Sequence, residues 1–101
     1  MLNLVETDCK DYIRLIIEGR VDVNTSPQLQ SRILAIFQKA NNLVLDFTAV
    51  EYVSSAALRA LLLGQKTAVS KGGSMKLVNV APAVMKVLEM AGFSKILNIE
   101  K

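Results

Sequence analysis

The sequence predicts one α/β domain over residues 1–101. It would be a mixed sheet of about five strands with about three helices packed on it. Three observations carry this. Apolar or alternating runs exchange with amphipathic runs in the order β-β-α-β-α-β-α-β. Proline or hydroxyl residues open the helical runs, and Asn or Gly closes them. The first two strands are separated only by the turn-like Asp8-Cys9-Lys10-Asp11, so they should form an antiparallel hairpin. The later strands are separated by helices and should run parallel through right-handed crossovers.

Each element has its own signal. Leu2 and Leu4 alternate with polar neighbours, and Met1 to Glu6 reads as a half-exposed strand. Tyr12 to Glu18 is the second strand, with Ile13, Leu15 and Ile17 on one face. Gly19-Arg20-Val21-Asp22 leads out of it. Thr25 or Ser26 can cap the first helix, Pro27 suits its first turn, and Gln28 completes a capping-box spacing with Thr25. Leu29, Ile33, Ile36, Phe37 and Ala40 form its apolar stripe, and Asn41-Asn42 stops it. Leu43-Val44-Leu45 reads as a central strand buried on both faces. It ends at Asp46-Phe47-Thr48, and a loop is expected from there to Ser54-Ser55.

The second helix starts at those serines, with Leu58, Leu61, Leu62, Ala68 and Val69 as its buried stripe. Gly64 inside it costs about 1 kcal/mol of helix propensity and suits close packing. Lys71 and Gly72-Gly73 end it. Met75 to Val80 is a further buried strand. Pro82 opens the third helix, with Val84, Val87, Leu88 and Ala91 on one side. Gly92 stops it and Phe93 closes the hydrophobic contact. Ile96, Leu97 and Ile99 make the last short strand.

Composition narrows the function. A chain of 101 residues, 51% hydrophobic and 21% charged, reads as an ordinary globular domain. It buries roughly 60–70% of its unfolded surface without a disulfide or metal. No histidine is present, and Cys9 is the single cysteine. His-based triads, internal disulfides and multi-cysteine metal clusters are therefore excluded. Neither a cofactor nor a metal is expected. The longest apolar run is the five residues Ile33 to Phe37. A membrane span needs about twenty and a signal-peptide core roughly 7–15. With a lone cysteine, the expectation is a cytoplasmic protein. Residues 1–50 carry five basic and six acidic side chains, and residues 51–101 carry seven and three. With five aromatics and no Trp, that asymmetry gives no case for direct nucleic-acid binding.

Chemistry in an open α/β sheet sits at the carboxyl ends of the strands. Here that edge holds Asp22 to Ser26, Asp46 to Ser55, and Asn79 to Pro82. Capping explains one of the two serines at 54 and 55. The other stands at the positive end of a helix, where a phosphoryl group is tolerated. A nucleophilic Ser55 would need a base, and there is no His, no Ser-x-x-Lys and no Gly-x-Ser-x-Gly. Gly72-Gly73 lacks the Lys-Ser/Thr of a phosphate loop. Asp22 and Asp46 read as a turn residue and a strand-end acceptor.

Taken together, these pieces resemble the STAS domain family, and in particular the bacterial anti-sigma factor antagonists. Gly19-Arg20-Val21-Asp22-Val23-Asn24-Thr25-Ser26-Pro27 resembles a Gly-x-Leu/Val-Asp strand end followed by a Thr-initiated helix. Asp46 to Leu58 resembles Asp-Leu-Ser-x-Val-x-x-x-Asp/Ser-Ser-x-Gly-Leu. Gly72-Gly73, Ala81-Pro82-Ala83-Val84 and Ala91-Gly92-Phe93 resemble the family's C-terminal half.

The resemblance implies phosphorylation at Ser55 by an anti-sigma factor that is also a serine kinase, with a phosphatase to reset it. It implies partner switching: the unphosphorylated form binds the anti-sigma factor and frees the sigma factor. Asp22, Thr25, Thr48, Ser54, Ser55, Ala56, Ala57 and Leu58 would form the contact surface, with Asp22 helping to dock the kinase. Thr48 stands where Ser is frequent, and Ser54 where several members carry Asp. Ala57 replaces the family Gly, and its methyl is expected to bear on a partner's close approach. Two other readings stay open. One is a constitutive subunit docked on an ABC-transporter ATPase. The other is a structural STAS module without phosphorylation.

Overall fold

The computed structural model describes residues 2–100. Met1, which the sequence reading places in the first strand, lies outside them. The elements are β1 (Leu2–Cys9), β2 (Tyr12–Val21), α1 (Ser26–Phe37), β3 (Asn42–Val53), α2 (Ser55–Ser70), β4 (Ser74–Val78), α3 (Pro82–Met90) and β5 (Asn98–Ile99). A short 3-10 turn, Phe93–Lys95, separates the last two. The strands lie in the spatial order β1-β2-β3-β4-β5. β1 and β2 form the expected antiparallel hairpin, from Leu2↔Gly19 to Cys9↔Tyr12. All the other pairings are parallel.

A parallel sheet that grows steadily in one direction through right-handed crossovers puts all its helices on the same face. Burial follows from that. Ile13, Leu15 and Ile17 of β2, Leu43 and Leu45 of β3, and Met75 and Leu77 of β4 are buried. They share one apolar core with Leu29, Ile33 and Ile36 of α1, Leu58 and Leu61 of α2, and Val84 and Leu88 of α3. Phe93 packs against the same core, as the sequence suggested. The other sheet face carries Arg14, Val44, Lys76 and Asn98 in one cross-strand row. Arg14 pairs with Asp46, and Lys76 with Glu100. The expectation that Leu43-Val44-Leu45 is buried on both faces is therefore corrected. Leu43 and Leu45 are buried, but Val44 is only partly covered and lies between two cations.

A second correction concerns residues 46–53. They continue β3 instead of forming a loop. β3 carries two irregularities against β2, one between Ile16 and Glu18 and one between Gly19 and Arg20. At each, β3 has one more residue than β2, as in a β-bulge. Gly19 takes φ 110°, a conformation that strongly favours glycine, at the second of them. The bulges change the burial spacing from two to three, so Phe47, Val50 and Val53 face the core.

Two smaller differences concern α2 and the end of the chain. Val69 is 65% exposed and lies outside the buried stripe of α2. The last strand is only Asn98–Ile99, with buried Leu97 just before it. Gly64 does pack closely. A Cβ there would stand 2.8 Å from Met75 Sδ and 2.9 Å from Ile33 Cγ2.

Candidate functional site

The carboxyl ends of β2 and β3 are tied together. Val21 pairs with Val53, and the Ser54 N–H donates to the Val21 carbonyl at 2.9 Å. That bond sets the start of α2 beside the turn that follows β2. In this turn Asp22 Oδ1 accepts the N–H groups of Asn24 at 2.9 Å and Thr25 at 3.0 Å. The Thr25 hydroxyl accepts the Asp22 N–H at 2.9 Å and donates to the Arg20 carbonyl at 2.8 Å. The Thr25 N–H is the main cause holding the Asp22 carboxyl below its ordinary range. Thr25 occupies the N-cap position of α1 without a side-chain capping bond, and Ser26 is buried inside the helix. The capping expected of Thr25 or Ser26 is thus replaced by a locked turn. The hydroxyl points back to the strand end instead of forward to the helix.

Ser54 is the N-cap of α2. Its backbone is extended, and its Oγ accepts the Ala57 N–H at 3.3 Å. Ser55 is the first helical residue and is exposed. One hydroxyl therefore serves the fold and its neighbour faces solvent. Ala56 is partly exposed. Ala57 and Leu58 are 1% and 8% exposed and belong to the core. Expected on the contact surface, in the free chain they lie beneath it and support the site. The Ala57 methyl faces inward, so the hindrance expected from it does not arise at the surface.

Asp46 anchors the other side of the site. It is buried, yet it is fully engaged. Its Oδ1 accepts the Thr48 hydroxyl at 2.6 Å, the Thr48 N–H at 2.9 Å and the Asn79 amide at 3.3 Å. Its Oδ2 accepts the Arg14 guanidinium at 2.8 Å. Desolvation alone would raise its pKa. The Thr48, Arg14 and Asn79 bonds outweigh that and lower it to about 2. Thr48 is exposed but committed to Asp46 through its hydroxyl. Asn79 has φ 57°, a left-handed conformation that Asn tolerates. Through it, Asp46 ties the end of β4 to the bulged half of β3.

Of the eight expected surface residues, the structure brings Asp22, Thr25, Ser54, Ser55 and Ala56 to one end of the sheet. Thr48 lies on β3 at the first bulge, and Ala57 and Leu58 lie underneath. Sequence reasoning missed three exposed neighbours. Val23, 68% exposed, sits at the tip of the Asp22 turn. Tyr52 and Arg20 are cross-strand partners, with the guanidinium 4.5 Å from the ring centroid. Their pairing was invisible while 46–53 read as a loop. An exposed aromatic ring under a cation, an exposed apolar tip and an exposed hydroxyl, all at one end of the sheet, are features suited to contact with another macromolecule. A concavity of about 550 Å³ lies at the opposite end of the strands, lined by residues 8–13 and 39–42. Among the described residues, no group of three or more Cys, Asp or Glu side chains is placed to hold a metal ion. Among the same residues no helix is long and apolar enough to cross a membrane.

Comparison with known proteins agrees with this arrangement. The chain is 25% identical over 87 residues to the anti-sigma-B factor antagonist of Bacillus subtilis, covering 86% of this chain and 80% of that one. An anti-sigma factor antagonist from Mycobacterium paratuberculosis superposes with a TM-score of 0.87 at 23% identity, over 98% of this chain and 85% of that one. The Bacillus cell fate determinant SpoIIAA in its phosphorylated form superposes with a TM-score of 0.74 at 19% identity, over 100% and 92%. The STAS domain model matches residues 6–101. With the five-strand mixed sheet and three helices described above, this places the chain in the STAS domain family.

Proposed function

We propose that this chain is an anti-sigma factor antagonist that works by partner switching, with Ser55 as its phosphorylation switch. The observation that carries the reading is the division of labour between the two serines. Ser54 holds the helix cap, so Ser55 is free to be modified without cost to the fold. In this reading the unphosphorylated protein binds a cognate anti-sigma factor through Asp22, Val23, Thr25, Tyr52, Ser55 and Ala56, and the sigma factor is released. The anti-sigma factor, acting as a serine kinase with its own ATP, transfers a phosphoryl group to Ser55 and ends the complex. A phosphatase restores it. The chain is a substrate here, with no catalysis of its own.

The physics of the off state is electrostatic. A phosphoserine adds roughly −1.5 to −2 charges. Enclosing such an ion in a packed interface without a matched partner costs several kcal/mol. A loss of about 3 kcal/mol lowers affinity on the order of 100-fold.

Ser55→Ala and Ser55→Asp test this with the cognate kinase. Ser55→Ala should take up no phosphate and retain binding, while Ser55→Asp should bind on the order of 10-fold or more weakly. Phosphorylation of Ser55→Ala at the wild-type level, or unchanged binding by Ser55→Asp, refutes the switch. A constitutive role on an ABC-transporter ATPase would use the same surface without phosphate. Recovery of an ATPase subunit in place of an anti-sigma kinase on purification from the host would establish that reading instead.

A further inference from the structure

We propose that Arg59 is the intramolecular partner of a phosphoryl group on Ser55, so that phosphorylation reverses the charge of this face of α2. The inference rests on the reading of Ser55 as the modified residue. Ser55 and Arg59 are four residues apart in one helix, and both are exposed. Side chains at that spacing lie on the same stripe, with Cβ atoms about 5–6 Å apart. Between them, Ala57 and Leu58 turn into the core, and Ala56 has only a methyl. Nothing on the helix stands between the hydroxyl and the guanidinium.

Arg59 is also a cation without a carboxylate. The ion pairs among the described residues engage Arg14, Arg32, Lys39 and Lys76. Arg20 lies over Tyr52. α2 contains no Asp or Glu at all. In the unmodified protein this stripe therefore presents one free guanidinium, suited to an acidic group on a partner. A phosphate on Ser55 offers three acceptor oxygens to the planar donor fork of Arg, a charge-assisted match. The pair would withdraw the cation from the partner as it adds the anion. The stripe would go from about +1 to about −1, which changes recognition more than the phosphate alone would.

The test uses the full chain with phosphoserine introduced at position 55 during translation, so no kinase is needed. The phosphate's second ionisation is followed by phosphorus NMR in the Arg59, Arg59→Gln and Arg59→Lys chains. The Arg59 chain should titrate about half a pKa unit below Arg59→Gln, a threefold change in the dissociation constant. Arg59→Lys should recover part of the shift, and about 1 M salt should abolish it. The N-terminus of α2 and the nearby Arg20, Asp22 and Glu51 are common to all three chains, so the difference isolates residue 59. Equal midpoints within about 0.1 unit for Arg59 and Arg59→Gln overturn the pairing. Failure of a kinase to modify Ser55 would overturn the switch and leave this titration unaffected.

Discussion

Replacing Asp46 by Asn should show how much of the fold depends on one buried charge. The carboxyl titrates at about 2, against 3.8 for the ordinary group. At 1.36 kcal/mol per unit, that difference is worth about 2 kcal/mol of stability. The sign follows from the depressed value. The contribution is present in full above the unfolded pKa near 3.8 and is lost as pH falls through about 2. Asp46→Asn keeps the side chain's size but removes its charge, and turns an amide N–H₂ toward donors that already point at this site. Urea unfolding followed by circular dichroism, from about pH 7 to about pH 2, should give a gap of about 2 kcal/mol at neutral pH that closes toward the acid end. A gap that stays constant across this range would mean that shape, not ionisation, holds the network. No gap at neutral pH would mean that the four hydrogen bonds to Asp46 stabilise nothing.

Two further substitutions test the packing and the cap. Gly64→Ala gains helix propensity of about 1 kcal/mol but drives a methyl against Met75 and the stiff β-branched Ile33; thermal melts should show a net loss of about 1 kcal/mol. An unchanged or raised melting temperature would show that α1 and α2 can part to admit the methyl. Ser54→Ala should lose about 1 kcal/mol through the cap, whereas Ser55→Ala should lie within about 0.5 kcal/mol of wild type by the same melts. Equal losses at both positions would remove the division of labour on which the proposed switch depends.

Much of the architecture was legible because its signals are local. Thr25-Ser26-Pro27 and Gly72-Gly73 mark the start of α1 and the end of α2, whereas α1 stops at Phe37, before the Asn41-Asn42 expected to end it. The Leu and Ile alternation of β2 identifies the helix-covered face without further information. The second half of β3 was not legible, because its bulges replace the period of two with Phe47, Val50 and Val53 at a spacing of three. A strand with that spacing carries no strand signature. Its reading as a loop also concealed the Arg20–Tyr52 pair, which depends on register. The both-face burial expected for Leu43-Val44-Leu45 failed for a different reason. A three-residue apolar run cannot show that every crossover lies on one side. Within the site, the hydroxyl pair at 54 and 55 was visible in sequence. Which serine caps α2, and that Ala57 and Leu58 turn inward, depended on the phase of the helix.

The face of the sheet that no helix covers has a thermal consequence. Arg14, Lys76, Asn98 and Glu100, the carboxylate partner of Lys76, keep contact with water in the native protein. Melting therefore transfers less new hydrocarbon surface into water than it would for a sheet covered on both sides. The heat-capacity increment of unfolding should fall at the low end of the usual range of about 12–15 cal/mol/K per residue. A small increment flattens the curve of stability against temperature. The domain should then hold nearly the same free energy from the cold to the physiological range, so that its surface geometry changes little as temperature varies.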